Sequence, residues 1–415
     1  MPEKIKRKKL ILHILSGNLN SGAAKGAYFL HLQLLEKGID SRVLLLNGKP
    51  DFFYKVDIVL NSPLKKFKYL ILRALNKLFS ILLVKKDFYN FDLNLIGFGI
   101  FWHPWYKKAD IIHLHWINGL ISFPQIAKIK KPIIWTIRDM WPFSAGYYYD
   151  YKLIKNSYFN KFPDQSRVPF FMRSISRLKR YFIKKSNPKI IGISKWLSEE
   201  ARNSEILNGF KTQTIINTID FESFYPRNRN YLYDKYKIEK RKKILLIGAS
   251  NIDLRYKGFD EFFYSLKFTD RSSYEIAIFG NISPKSRSLL KEYSVTYLGE
   301  IDSNEELSKI YSGASFFMAP SILEAFGKTI IESLSCGTPC IIFNNSGPAQ
   351  LLKHKKTGFI ADINKPQSLA DGINWFLNLS QKEYSLISDY CQKNVHDIYE
   401  FYKPIEEYIH LYKNI

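Results

Sequence analysis

The sequence predicts an α/β protein made of two doubly wound, parallel-sheet domains followed by C-terminal helix. Three observations predict it. Short apolar runs alternate with amphipathic helical stretches, the pattern of βαβ units with helices on both sheet faces. The alternation pauses in a polar, basic stretch, YPRNRNYLYDKYKIEKRKK at 225–243, and then restarts. The final segment, 380–415, reads as helix after helix and closes on the aromatic YEFYKPIEEYIHLYKNI. The expected parts are therefore 1–224, 225–395 and a closing helix at 396–415.

The first strand is KLILHIL, 9–15. The basic residues before it resemble the start of a signal peptide, but the apolar run is short and His13 interrupts it, so a strand is expected. A Gly-rich turn, SGNLNSGAAKG at 16–26, leads into the helical AAKGAYFLHLQLLEKG, which stops at Gly38, and SRVLLL follows as the next strand. ADIIHLHW (109–116), KPIIWTIRD (131–139), PKIIGIS (188–194) and TQTIINT (212–218) supply further strands. The second domain opens with KKILLIGAS (242–250) and continues through YEIAIFG, SVTYLGE, ASFFMAPS and TPCIIFN.

One stretch stands outside this alternation. LKKFKYLILRALNKLFSILLVKK, 64–86, has seven basic and no acidic residues. At about 100° per residue Lys65, Lys66, Arg73, Asn76, Lys77 and Ser80 gather in one sector, with apolar side chains over much of the other side. Two placements follow. The helix packs its apolar side on the sheet with its basic side in water, or the basic face meets an anionic bilayer, helped by Arg173, Arg177, Lys179, Arg180, Lys184 and Lys185.

The 415 residues include 62 Lys plus Arg against 38 Asp plus Glu, a net charge of +24. Nucleic acid, an acidic membrane surface and phosphorylated small molecules are all compatible partners, and so is an excess that serves solubility alone. Three cysteines, Cys336, Cys340 and Cys391, form no Cys-x-x-Cys pair, which points to a reducing cytoplasm. No run approaches the roughly 18 apolar residues of a membrane span.

The stretch SILEAFGKTIIESLSCGTPC, 321–340, carries the chemistry. Glu324 follows the strand ASFFMAPS, and ligands of open α/β sheets bind at the carboxyl ends of strands. Gly327 allows close approach to the backbone, and the helix that starts there offers free N–H groups to a phosphate. Glu332, further along the helix, suits the vicinal hydroxyls of a ribose. Arg255 and Lys257, in GASNIDLRYKGFDEF after another strand, suit a diphosphate leaving group. Polyol plus diphosphate describes a nucleotide sugar.

These stretches resemble the family-4 retaining glycosyltransferases of the GT-B fold, whose E-x7-E signature is similar to PSILEAFGKTIIESLSCGTPCIIF. The blocks SGAAKGAYFLHLQLLEKGIDSRVLL, ADIIHLHWING, PIIWTIRDMWPF, IIGISKWLSEEA, INTIDFESFYP, RYKGFDEF and ELSKIYSGASFFMAPS resemble the family's other blocks in order, most closely those of its colanic-acid and exopolysaccharide branch. The resemblance implies that Glu324 contacts the donor sugar and that the backbone of Phe326, Gly327, Lys328 and Thr329 meets sugar and diphosphate. It implies Glu332 at the ribose, Lys257 at the diphosphate, Gly22 facing donor phosphate or acceptor, and a C-terminal helix that returns to brace the first domain. Two departures stand out. Ala249 occupies the place of an arginine, for which Arg255 is the candidate substitute, and Arg138 replaces a histidine near the donor sugar. A guanidinium does not accept a proton; it binds an acidic sugar or a phosphate, or it pairs with Asp139 or another neighbour.

His113 and His115 share a strand face, but no third ligand follows at metal-binding spacing, and there is no Asp-x-Asp, so no metal or other cofactor is expected. The expected activity is retaining, metal-independent transfer of a sugar from a nucleoside diphosphate sugar, UDP in preference to GDP, to a hydroxyl of a lipid-linked glycan. Asp139 is the candidate general base, and the site is expected in the cytoplasm on the inner face of the membrane. The alternatives are a nucleotide-sugar epimerase of the same fold and a nucleic-acid binder, for which the sequence shows no module. A glycosidase leaves the phosphate-ready helix and the cations unexplained.

Overall fold

The computed structural model describes residues 8–17, 19, 22–83, 91–149, 170–365 and 367–415. They form two compact units that divide between Thr218 and Ile219, and the first unit takes back Lys403–Ile415. The basic stretch 225–243 is folded onto the second unit. Arg227 donates its backbone N–H to Ser312 Oγ (2.9 Å), Ser308 Oγ donates to the Tyr225 carbonyl (3.1 Å), and Tyr231 donates its hydroxyl proton to Glu306 (2.5 Å).

The first unit holds seven strands: β1 (Leu10–Leu15), β2 (Asp40–Leu45), β3 (Val56–Ile58), β4 (Ile111–Leu114), β5 (Ile133–Ile137), β6 (Lys189–Gly192) and β7 (Thr212–Thr214). They are all parallel, in the order β3-β2-β1-β4-β5-β6-β7. The order reverses between β1 and β4, so the loops leaving their carboxyl ends diverge and leave a crevice, as in every doubly wound sheet. The short edge strand β3 was not expected from the sequence; three residues give too little alternation to register.

Helix α1 (Gly22–Glu36), helix α2 (Pro63–Leu83) and helix α3 (Phe170–Ser186) belong to this unit. Residues 84–86 of the expected basic helix, and 18, 20 and 21 of the Gly-rich turn, lie outside the described residues. α2 is oriented against expectation. The middle of its polar sector faces the protein, with Lys66 and Lys77 exposed at the edge: Arg73 pairs with Asp92 (2.8 Å), and Asn76 donates to the Ile96 carbonyl (2.6 Å) while accepting from its N–H (3.1 Å). Its apolar sector is exposed, with Leu64 77%, Phe67 62% and Leu70 63% accessible. The 91–96 strap beneath it presents a carboxylate and two peptide groups, which only polar side chains satisfy.

In the second unit, β8 (Lys243–Asn251), β9 (Tyr274–Asn281), β10 (Val295–Gly299), β11 (Phe316–Ala319), β12 (Cys340–Phe343) and β13 (Gly358–Ala361) form a parallel sheet. Its order is β10-β9-β8-β11-β12-β13, with the reversal between β8 and β11. Helix α4 (Lys328–Ser335) follows β11, and helix α5 (Gln381–Tyr402) ends the unit. The chain then turns at Lys403, in left-handed backbone (φ 38°), and Pro404 starts helix α6 (Pro404–Lys413). α6 returns to the first unit, where Ile405, Tyr408, Leu411 and Tyr412 pack with Ile11, Ile111, Ile134 and Leu34 of the sheet and α1. Each such burial stabilises by about 1.5–3 kcal/mol.

Candidate functional site

In the second unit the reversal between β8 and β11 brings together two loops that the sequence holds far apart. Lys257 Nζ lies 2.5 Å from Glu324 Oε2. Backbone contacts set this meeting. The N–H of Ile322 donates to the Tyr256 carbonyl (2.8 Å), and Gly258, at φ 75°, sits so close to Pro320 that a Cβ there would fall 1.8 Å from its carbonyl oxygen. The loop after β12 braces the other side: Gly347 donates its N–H to the Glu324 carbonyl (3.0 Å), and the Glu324 N–H donates to Ser346 Oγ (3.3 Å).

Gly327, at φ 96°, ends the β11–α4 loop. Glycine is needed there twice over, for the left-handed backbone and because a Cβ would press on Ile330 Cδ1 at 2.8 Å. The loop is buried at Ala325, Phe326 and Gly327 but opens to solvent at Glu324, Lys328 and Thr329. The N–H groups of Lys328 and Thr329 open α4, where a helix has no carbonyl of its own to offer them. Lys328 reaches along the helix to Glu332 (3.2 Å), whose second oxygen accepts from the Tyr311 hydroxyl (3.4 Å). Glu332 is buried between them. The pair Lys257–Glu324 and the pair Lys328–Glu332 thus bracket one helix start.

Burial opposes the charge on Lys257, but Glu324 outweighs it and holds the ammonium above its ordinary pKa. Arg255 is placed differently from the expectation that it shares this task. Its guanidinium forms a bidentate pair with Glu261 (2.6 and 2.8 Å), whose carboxylate is buried. It lines a separate pocket of about 240 Å³ with Asp253, Asp260, Ser283, Lys285 and Ser286.

In the first unit, Arg138 and Asp139 follow β5. Arg138 is buried under α1: it donates to Asn217 Oδ1 (3.0 Å) and approaches His115 Nδ1 (3.5 Å), and burial lowers its pKa to about 10. It pairs with these two rather than with Asp139. Asp139 accepts the Trp141 N–H (2.9 Å), and burial pushes its carboxyl up to about 7 against the pull of Lys179. Gly22 is the first residue of α1, but Gly26, one turn on, is the glycine that matters for packing: a Cβ there would lie 2.7 Å from Arg138 Nη1.

The structure supplies the third histidine that the sequence reading did not find. β1 and β4 pair with His13 opposite His113, and His115 lies two residues on, so ligand atoms of all three fall within 4.8 Å of one another. The signal was available in the two strands, since neighbours in a reversed sheet share a register. Most of their ring nitrogens are engaged within the core: His13 Nδ1 meets His115 Nε2 (2.9 Å), and His113 meets Tyr412 Oη and Thr136 Oγ1 (2.7 Å each), while His13 Nε2 is buried without a hydrogen-bond partner. An arginine donating to His115 Nδ1 leaves its proton on Nε2, facing His13 Nδ1. Burial, reinforced by Arg138, holds all three imidazoles neutral, and the guanidinium repels any cation placed among them. The cluster fits a polar core that anchors α6 better than a metal site.

Residues 232–393 match the family described as glycosyl transferases group 1. The matched residues all lie in the second unit. An uncharacterised glycosyltransferase of Methanocaldococcus jannaschii is 25% identical over 322 residues, 74% of this chain and 75% of its own length. Two further curated relatives are matched over 64% and 65% of their length. Among solved structures, sucrose-phosphate synthase of Thermosynechococcus elongatus superposes with a TM-score of 0.70 at 15% identity, covering 98% of this chain and 99% of that one. Anabaena HepE, crystallised with UDP and glucose, superposes with a TM-score of 0.66 at 12% identity, covering 98% and 100%. The architecture is the GT-B fold.

Within the matched residues lie Arg255, Lys257, Glu324, Phe326, Gly327, Lys328, Thr329 and Glu332, whereas Gly22, Arg138 and Asp139 lie outside them. The matched residues also include three positions that sequence reasoning passed over. Gly258 and Gly347 carry no chemistry, and their role shows only as backbone approach. Tyr311 is one aromatic residue on the helix Asn304–Gly313, and only the fold turns its hydroxyl toward Glu332.

Proposed function

We propose that this protein is a retaining glycosyltransferase that moves a sugar from a nucleoside diphosphate sugar to a hydroxyl of a lipid-linked glycan, in the manner of exopolysaccharide transferases, at an anionic membrane surface. The observation that carries it is the Lys257–Glu324 pair at the start of α4, with Glu332 on the same helix.

Transfer passes through an oxocarbenium-like state while negative charge grows on the diphosphate, so stabilisers belong at the phosphate. Lys257 has three N–H donors, of which Glu324 takes one; Glu324 also keeps the ammonium charged. The opening N–H groups of α4 add fixed positive dipole at the same place. Glu324 contacts donor hydroxyls, Glu332 the ribose, and the backbone from Phe326 to Thr329 the sugar and diphosphate. These cations and helix dipoles supply the charge that a divalent ion supplies elsewhere, so the reaction proceeds without metal. Retention follows from departure and attack on one face, with a diphosphate oxygen taking the acceptor proton, or with Asp139 as base. Arg138 and Gly22 are assigned to donor or acceptor on the first unit, and Arg255 supports the 255–258 turn. The UDP in HepE supports uridine as the donor nucleoside.

The test is a panel of sugar nucleotides screened for a rise in melting temperature, followed by product analysis with the stabilising donor. A UDP-sugar that stabilises and yields a product of unchanged anomeric configuration in the presence of a chelator supports the reading. Free isomerised nucleotide sugar without acceptor establishes the epimerase in its place.

A further inference from the structure

We infer that α2 is an interfacial helix that inserts its outward apolar face into an anionic bilayer. This goes beyond the membrane surface proposed above by naming the element and reversing the face that makes contact, and it rests on that reading only for the choice of a bilayer.

Taking Asn76 as the inward direction, Lys65, Tyr69, Leu72, Arg73 and Ser80 fall on the same side at about 100° per residue. All are buried or partly buried. The opposite side carries Leu64, Phe67, Leu70, Ile71, Leu75 and Leu78, each at least 40% accessible. Ala74 and Ile81 lie among them, and Lys77 stands at the edge of this side. An apolar face of this extent on a protein surface marks a contact site.

Charge selects the occupant. Lys66 and Lys77 border the apolar face on one side and Lys68 on the other, and α2 contains no acidic residue. α3 lies beside the same strap, since Phe171, Met172 and Ile175 pack with Phe91, Leu93 and Leu95. α3 adds exposed Arg173, Arg177, Lys184 and Lys185, and it too lacks acidic residues. A second copy of this surface would set cations against cations. An anionic bilayer offers acyl chains to the apolar face and phosphates to its borders. Among the described residues no helix is long and apolar enough to cross a membrane, so α2 lies in the interface.

The full chain is sedimented with phosphatidylcholine vesicles with and without about 30% phosphatidylglycerol, at low salt and at about 0.5 M NaCl, where exposed charges are screened within about 5 Å. Wild type pellets with the anionic vesicles and stays bound in high salt. Phe67→Asp with Ile71→Asp lowers partitioning at least about tenfold while the donor-induced melting shift is kept. An Ile71→Cys variant carrying an environment-sensitive fluorophore shifts to the blue on anionic vesicles and is shielded from an aqueous quencher. Complete release in high salt, an unshielded fluorophore, or a concentration-dependent dimer that hides Ile71 without lipid overturns the inference. Loss of the donor shift in wild type instead refutes the transferase reading and leaves the vesicle result standing.

Discussion

Replacing Gly258 by alanine tests whether backbone approach, rather than any side chain, assembles the site. Gly258 has φ 75°, a conformation costing a residue with a Cβ about 1–2 kcal/mol. The added Cβ would also sit 1.8 Å from the Pro320 carbonyl oxygen and 2.8 Å from its carbon, so the 255–258 turn must retreat by about 1.5 Å to reach ordinary contact. That displacement carries Lys257, whose ammonium lies 2.5 Å from Glu324, beyond hydrogen-bond reach. A misplacement of about 1 Å costs roughly a hundredfold in rate. Gly258→Ala should therefore lose about two orders of magnitude in kcat/KM, and much of the donor-induced melting shift, with a fall in stability of about 1–3 kcal/mol. Gly299→Ala is the control: its φ is also 75°, but nothing lies within 4 Å, so it should lose stability and keep activity. Turnover of Gly258→Ala within about threefold of wild type would refute the claim that this contact positions Lys257.

Lys257→Ala and Glu324→Ala should each lower turnover by about 10²–10³ with circular dichroism unchanged, and the double variant should lose much less than the product of the two losses; full activity in either single variant removes that residue from the chemistry. Tyr412→Phe leaves the buried His113 Nδ1 without its 2.7 Å partner and should cost about 1–3 kcal/mol in urea unfolding followed by tryptophan emission, which reports chiefly on the first unit because six of the seven tryptophans lie there. Stability of that unit should fall on acidification below about pH 6.5. His13, His113 and His115 are held well below the ordinary histidine range by burial, and burial takes His31 to about 4, so the unfolded chain binds the extra protons, each histidine contributing up to about 1.4 kcal/mol per pH unit. Asp139, raised to about 7, has the opposite sign, stabilising as pH falls from about 7 to about 4, so Asp139→Asn should steepen the acid loss. If Asp139 is the base, the same variant should also erase the limb near pH 7 in the rate profile.

How much of this was legible in the sequence depends on the distance over which each signal acts. β1, β8 and β11 were plain because a buried parallel strand is a continuous apolar run, while β3, three residues with Asp57 in the middle, left almost no pattern. Gly327 was legible as the turn between a strand and a helix because that signal is local, and the structure gives it left-handed backbone at φ 96°. The Lys257–Glu324 contact needed the strand order, since the reversal between β8 and β11 is what places two loops 67 residues apart in one crevice. Arg255 shows the limit of residue type as evidence. A cation after the end of a strand was expected to suit a leaving group, yet Glu261, six residues on and buried, takes both arms of its guanidinium.

α2 marks a different limit. Helical periodicity divides a sequence into two sectors and says nothing about which one is inside; the assumption that apolar means inward holds only while the surface beneath is apolar. Here the surface beneath is the 91–96 strap, which offers the Asp92 carboxylate and the peptide of Ile96. Covering it with the Phe67–Ile71–Leu78 side would leave these groups without partners, at about 1–3 kcal/mol for each polar group and more for the charge. Turning Arg73 and Asn76 inward satisfies both, and the cost is moved to an exposed apolar face. That cost is offset only when something apolar covers the face. The charge borders therefore matter twice: they oppose self-association through the same face, and they hold the helix at a surface whose headgroups are anionic.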